Sequence, residues 1–428
     1  MSNIDRLLRF LAQSPTPFHA TSNARSRLET AGFVALSESD SWEGLKAGSY
    51  YVTRNDSSLI AFKLNQTPED HGFRLVGAHT DSPCLKVKPN AITVSNGYAK
   101  LAVEVYGGVL LNPWFDRDLG LAGRISVRTR DGKLENHLIN IDQPIAFIPS
   151  LAIHLDRNVN EQRSINKQKH LPPVLCRWDE KKMSFSSLLE SGLKQSVPDI
   201  DIDKILGFEL SLYDCQAPST VGLHKEFIAS ARLDNLLSCH AGVEAIIASQ
   251  GNSNQVLVLN DHEEVGSAST SGAEGPFLES VIQRICGGEE SSRRAISRSM
   301  MISADNAHGV HPNYADLHEP EHRPLINNGP VIKINSNQRY ATNSETEAAF
   351  KHMCEQNDIP YQVVVVRSDM GCGSTIGPIT ATKLGVRTID IGVPQLGMHS
   401  IREFAGTEDQ DHLVSALTGF FDTAYWPF

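Results

Sequence analysis

Asp261, His262, Glu263 and Glu264 follow the apolar run Val256–Leu259 and Asn260. Side chains alternate across a strand, so neighbours normally face opposite ways. Two adjacent glutamates at a strand tip therefore imply two different jobs at one edge. Other apolar runs end in a similar way. His79 closes "FRLVGAH", with Asp81 two residues on; Asp234 follows "SARL" at a predicted helix start. Asp305 follows "SMMISA", with His308 close behind, and His399 follows "VRTIDIGVPQLGM". His79, His399, Asp234, Asp305 and one of the two glutamates make a nitrogen and oxygen donor set. Such a set suits zinc, manganese or cobalt better than copper(I), which prefers sulfur. A catalytic zinc usually takes three protein ligands and a water. Five donors are too many for one such ion and enough for two, if one carboxylate bridges; ions paired about 3.5–4 Å apart are a known arrangement for hydrolysis. One glutamate then binds metal. The other stays free to accept a proton from the attacking water and pass it to the leaving group.

Each residue also has a plainer role. Asp234 and Asp305 suit an N-cap and a turn. A lone histidine at a strand end is usually a hydrogen-bonded structural residue, and "EE" is most often a solvated pair. The joint placement carries the argument, because ligands in open α/β sheets gather at the carboxyl ends of strands.

The elements that must position these residues are legible in outline. Ile4, Leu7, Leu8 and Leu11 follow helical spacing, with Asn3 as candidate cap and Pro15 as a stop; a second helix is predicted from Phe18 to Ala31, ended by Gly32. "FRLVGAHTDSP" reads as a short buried strand and a loop. From about residue 92 alternation and turn glycines predict β-hairpins, up to about residue 222. Beyond that, "LDNLLSCHAGVEAIIAS" places Leu233, Leu236, Leu237, Val243 and Ile247 near one helical face. The apolar runs "VLVL", "MMIS", "YQVVVV" and "VRTIDIGV" alternate with helical segments. The expectation is an α/β domain with a mixed sheet, formed by 1–91 and 222–428 and interrupted by a β-rich insertion at 92–221.

The chain has 428 residues, 40% hydrophobic and 21% charged, an ordinary globular balance. Net charge is −11 with no long basic run, which disfavours nucleic acid as a partner. The seven cysteines are an odd number without a CxxC pair, which argues against a disulfide framework and a thiolate zinc site. The N-terminal stretch does not read as a signal peptide, and no run approaches the roughly 20 apolar residues of a membrane span. A soluble protein of the cytoplasm is expected. "MGCGSTIGP" meets neither phosphate-loop spacing. Cys372 within it has no partner base evident in sequence, and HExxH is absent, which disfavours the single-zinc helical proteases.

"GAHTDSP", "ARLDN", "DHEEVGS", "SADNAHGVHPNY", "GPVIKINSNQRYATN", "GCGSTIGP" and "PQLGMHSIRE" occur in the order seen in the aspartyl aminopeptidase family. The chain resembles that family of di-metal exopeptidases over nearly its whole length. The resemblance implies an α/β metallopeptidase fold with an inserted β-rich dimerisation domain. It implies two divalent ions, zinc first and cobalt or manganese as alternatives. His79, Asp234 and Asp305 would hold one ion, and Asp234, Glu264 and His399 the other, with Asp234 as the bridge. Glu263 matches the general acid/base, and Asp81 matches the carboxylate that orients His79. Lys333 matches the family's substrate-contacting lysine, His308 a substrate-pocket histidine, and Tyr340 a hydrogen-bond donor to the tetrahedral oxyanion. His154 matches a histidine that reaches a neighbouring subunit's site. Substrates would be peptides beginning with Asp or Glu, and the assembly a tetrahedral dodecamer built from dimers. The competing expectations are a related aminopeptidase of broad or neutral specificity, and a metal-binding assembly scaffold without catalysis.

Overall fold

A computed structural model describes residues 2–179 and 184–423. The chain divides into two compact units. Unit 1 comprises Met1–Asp81, Pro218–Met398 and Glu403–Phe428; unit 2 comprises Ser82–Ala217 and His399–Arg402.

Unit 1 is built on a nine-stranded mixed sheet. Its four central strands are mutually parallel, in the order Gln255–Asn260, Arg74–His79, Met300–Ala304, Arg387–Gly392. Helices cover both faces, which is the usual condition of parallel strands and explains their unbroken apolar runs. Successive residues feed two separate cores. Leu257, Leu259, Val76, Ala78, Ile302 and Ala304 join one that also takes residues of Leu233–Ala248 and Thr407–Asp422. Val256, Val258, Leu75 and Met301 join the other, with residues of Phe277–Cys286 and Ile376–Leu384. A five-stranded sheet, ordered Ser219–Val221, Phe227–Ser230, Glu403–Gly406, Pro394–Leu396, Ala307–His308, completes the unit.

The α/β expectation for this unit is met, with local corrections. The first helix runs Asn3–Gln13, but its cap is Ser2 rather than Asn3. The Ser2 hydroxyl accepts the Asp5 N–H and the Asp5 carboxylate accepts the Ser2 N–H, a reciprocal box that Asn3 at the first helical position has no geometry to make. The second helix runs Pro17–Thr30.

Unit 2 is a six-stranded sheet ordered Leu134–Ala146, Leu119–Thr129, Ile202–Asp214, Cys84–Ser95, Tyr98–Tyr106, Val174–Arg177, antiparallel throughout. Its core holds Leu85, Leu101, Leu121, Ile125, Ile139 and Leu212. The unit starts at Ser82 and its first strand at Cys84, earlier than the change of texture at 92. No helix among the described residues is long and apolar enough to cross a membrane.

Candidate metal centre

Parallel register brings the first donors together. Asn260 pairs with His79, and Ser303 pairs with Gly77. Two residues beyond each member of the latter pair stand Asp305 and His79, side by side at the carboxyl edge. Asp234 arrives from the other direction, at the start of Leu233–Ala248, where it and Asn235 depart from helical dihedrals. His79 Nε2 lies 3.4 Å from Asp234 Oδ1 and 3.6 Å from Asp305 Oδ1. One ligand atom from each of these three side chains falls within 4.8 Å of the others, as it also does for His79, Glu263 and Glu264.

The acidic pair is not on the strand. Gln255–Asn260 ends first, His262 adopts left-handed dihedrals, and Glu263–Val265 forms a single 3-10 turn. Successive side chains there diverge by about 120°. It is this turn, rather than strand alternation, that separates the two glutamates. Asp81 fixes their backbone: Oδ1 accepts the Glu263 N–H and Oδ2 accepts the Glu264 N–H, both at 3.1 Å. Asp81 also faces the histidine, with Oδ1 3.4 Å and its carbonyl oxygen 3.1 Å from His79 Nδ1. With Nδ1–H donated in this direction, Nε2 is the ring atom that faces Asp234 and Asp305 and that would ligate a cation.

So many acids in one buried place shape the local charge. Burial alone would lower the His79 pKa, but Asp234, Asp305, Asp81 and Glu263 outweigh it and hold the imidazolium well above its ordinary range. Burial pushes Glu263 up to about 7; the neighbouring Asp305, Asp234 and Asp81 push the same way, against His79. Burial and the Asp234 charge hold Glu264 well above the usual carboxylate range. Every shift expresses a demand for positive charge. The nitrogen and oxygen donors fit a divalent cation, which would relieve that demand.

Lys333 does not point to solvent. It is 3% exposed. Its Nζ lies 3.2 Å from Asp305 Oδ2 and 5.4 Å from the centre of the Tyr340 ring. Tyr340 is buried, and burial followed by a hydrogen bond to Cys372 raises its phenol pKa. Tyr340, His308, Cys372, Met370, Arg367 and Leu396 help to line a cleft of about 320 Å³. His308 keeps an exposed edge, yet the protein packed around the ring, followed by the Lys333 charge, pulls its pKa down.

Two predicted residues lie in unit 2. His399 Nδ1 is 3.1 Å from the Gly108 carbonyl oxygen, and its own carbonyl accepts the Leu110 N–H. His154 is exposed. One positioning residue escaped sequence reasoning. Glu403 is buried, and its Oε2 accepts the Asp234 N–H at 2.9 Å. Its only sequence signal was its place in "PQLGMHSIRE".

The chain matches the family described as Aminopeptidase I zinc metalloprotease (M18) over residues 10–421. It belongs to that family. It is 58% identical over 426 residues to the "Probable M18 family aminopeptidase 2" of Ectopseudomonas mendocina (strain ymp), covering 99% of each chain. Among solved structures, the chain resembles one titled "Cryo-EM structure of the Ape4 and Nbr1 complex" with TM-score 0.94 and 40% identity, covering 98% of this chain and 85% of that one. It resembles the S. cerevisiae mApe1 dodecamer with TM-score 0.85 and 28% identity, covering 98% and 96%. Membership makes this M18 chain a metallo-aminopeptidase, and its fold that of the M18 aminopeptidases.

Proposed function

We propose that this M18 aminopeptidase releases N-terminal Asp or Glu from peptides at a centre of two divalent ions, zinc in the first instance. His79, Asp234 and Asp305 hold one ion. Asp234, Glu264 and His399 hold the other, the His399 assignment resting on the family resemblance. When bound, the ions supply Lewis acidity: they acidify a water and stabilise negative charge on the scissile carbonyl oxygen. Glu263 takes the proton from the attacking water and delivers it to the leaving amine. A base whose pKa sits near the working pH does this best, and burial moves Glu263 in that direction. Asp81 orients both His79 and the turn that carries Glu263. Tyr340 donates to the developing oxyanion, and His308 contacts the substrate.

The observation that carries the acidic specificity is the buried Lys333 ammonium beside Asp305. A buried ammonium is costly unless it is paired. With Asp305 serving as a ligand, Lys333 keeps donors for a second carboxylate, that of the substrate side chain. The test is Lys333→Met, assayed on matched Asp- and Ala-initiated peptides in one preparation. The ratio of the two kcat/KM values cancels any effect on metal occupancy. Removing one partner of a buried charge pair costs about 2–5 kcal/mol, so the ratio should fall by roughly 30-fold or more. An unchanged ratio would assign the site to neutral or broad substrates.

We infer a homo-oligomer, a tetrahedral dodecamer built from dimers, in which His154 completes a neighbour's site. The solved mApe1 dodecamer supports this, as do the exposed Phe147, Leu151, Ile153 and Leu155 that flank His154. A cytoplasmic location fits an odd number of cysteines, seven, without a CxxC pair.

A further inference from the structure

The two aspartates of the first ligand group are each followed by asparagine: Asp234-Asn235 and Asp305-Asn306. The structure ties the pairs reciprocally. Asn235 Nδ2 donates to the carbonyl oxygen of Ala304, the residue before Asp305, at 2.8 Å. Asn306 Nδ2 donates to the carbonyl oxygen of Leu233, the residue before Asp234, also at 2.8 Å. Each asparagine therefore grips the backbone just upstream of the other aspartate. The second bond of Asn306 Nδ2, at 2.8 Å to Gln395 Oε1, anchors the clasp to the strand Pro394–Leu396. Asn235 is 0% and Asn306 2% exposed, so water does not compete for these bonds.

We propose that Asn235 and Asn306 form a reciprocal clasp that sets the separation of the Asp234 and Asp305 carboxylates, and with it the affinity of the centre for divalent ions. The inference rests on the ligand assignment given above. Its physical basis is the contrast between the two segments. Asp305 extends a parallel strand, whose neighbours in the sheet hold it in register. Asp234 sits in a non-helical start of a helix, outside the sheet's hydrogen-bond ladder. The Asp234 N–H is secured by Glu403, which belongs to a different sheet. Direct links between the Asp234 segment and the Asp305 strand come from the two asparagine amides. Two carboxylates with like charge tend to separate when no cation is present. Two short bonds across the ends of both segments oppose that separation, so the cation meets ligands already placed. Metal sites lose about 10–100-fold in affinity when such supporting partners are removed.

Neither asparagine touches the reacting groups, so both are positioning residues. The test uses the full chain, stripped of metal and titrated with Zn2+ against a competing chelator. Asn235→Ser and Asn306→Ser shorten each amide without adding bulk or charge. Each should weaken zinc binding about 10–100-fold, and the double variant should lose no less than the weaker single one. The far-ultraviolet circular dichroism of the metal-free protein should be unchanged. Asp305→Asn, run in parallel, examines the ligand assignment itself. If Asp305→Asn binds zinc as tightly as wild type, the assignment fails. If it loses zinc while both serine variants bind normally, the assignment stands and the clasp is overturned. A serine variant that cannot fold without metal also overturns it, because a clasp dedicated to the ligands leaves the metal-free fold standing.

Discussion

The two units handle charge in opposite ways. Unit 1 buries it: His79, Asp81, Asp234, Lys333, Asp390, Glu403 and Asp409 are all largely removed from water. Unit 2 keeps it outside. Among the described residues its one buried acid is Asp214, paired with Arg117, while Arg128–Asp203 sits on open sheet surface and Arg130–Asp201 is exposed just beyond the strand ends. Burying an ion is unfavourable by several kcal/mol unless partners compensate. A fold that needed only stability would distribute its charges as unit 2 does. Unit 1 concentrates them at one strand edge, and strongly shifted ionisable groups gather at functional sites. The contrast thus separates a unit organised around chemistry from one organised around a sheet.

The sharpest way to break that contrast is to change one buried oxygen. Glu263→Gln keeps the shape of the turn and removes the proton acceptor. General acid–base groups contribute about 10²–10⁴-fold. Turnover should fall by that amount, while zinc content measured by mass spectrometry stays at the wild-type level. Loss of zinc together with turnover would make Glu263 a ligand rather than a base. In unit 2 the largest available effect is mechanical. Leu121 is fully buried between Leu212 and Ile141, its partners on the flanking strands. Leu121→Ala should cost about 2–5 kcal/mol in urea unfolding. A loss below about 1 kcal/mol would mean that this core does not hold its sheet.

Much of this was readable before the fold was. The central strands of unit 1 are covered on both faces, so they appear as unbroken apolar runs, and their carboxyl ends pointed to His79, Asp305 and the glutamates. Unit 2 was placed late for a local reason. Pairing of Cys84–Ser95 with Tyr98–Tyr106 is irregular between Val87 and Ile92. Leu85, Lys86 and Val87 already alternate, but the exposed Pro89 and Asn90 cut that run short before it resumes near residue 92. Of the supporting partners, Asp81 was named through the family resemblance, whereas Glu403, Asn235 and Asn306 were not legible. Glu403 bonds to Asp234 across 169 positions, and Asn306 reaches Leu233 across 73. A glutamate in a strand and an asparagine in a turn carry no local mark of such distant partners. The ligands stand out by residue type and strand position, whereas most of what holds them in place appears only with the fold.

Burial of neutral imidazole offers a smaller, pH-dependent effect. Burial, followed by the Arg27 and Arg6 charges, lowers the His240 pKa to about 3. Its Nδ1 lies 2.8 Å from Gln410 Nε2, a donor, so this nitrogen accepts and the ring is neutral. The unfolded chain takes up this proton near pH 6.5 and the folded chain does not. The unfolded state thus binds more protons below pH 6.5, and stability falls as pH drops from about 6.5 toward 3. One such group contributes a slope of up to about 1.4 kcal/mol per pH unit. His240→Phe should be less stable at pH 7, having lost the Gln410 bond, but its stability should fall less steeply with acid. Parallel slopes for the two proteins would show that His240 is protonated in the folded state.

The smallest expected effect tests the other side of the comparison. Arg128 and Asp203 pair at 2.5 Å on adjacent strands of unit 2, with side chains 46% and 47% exposed. Close approach does not make such a pair strong. Water screens both charges, and holding two long side chains in one arrangement costs rotamer entropy; measured exposed pairs contribute about 0.2–1 kcal/mol. A double-mutant cycle of Arg128→Ala and Asp203→Ala should give a coupling energy inside that range. The coupling should shrink further in about 1 M salt, where the screening length drops to about 3 Å. A coupling above about 2 kcal/mol, insensitive to salt, would show that unit 2 also relies on desolvated charge. The two units would then differ in degree rather than in kind, and buried charge would lose its value as the marker that singles out the metal centre.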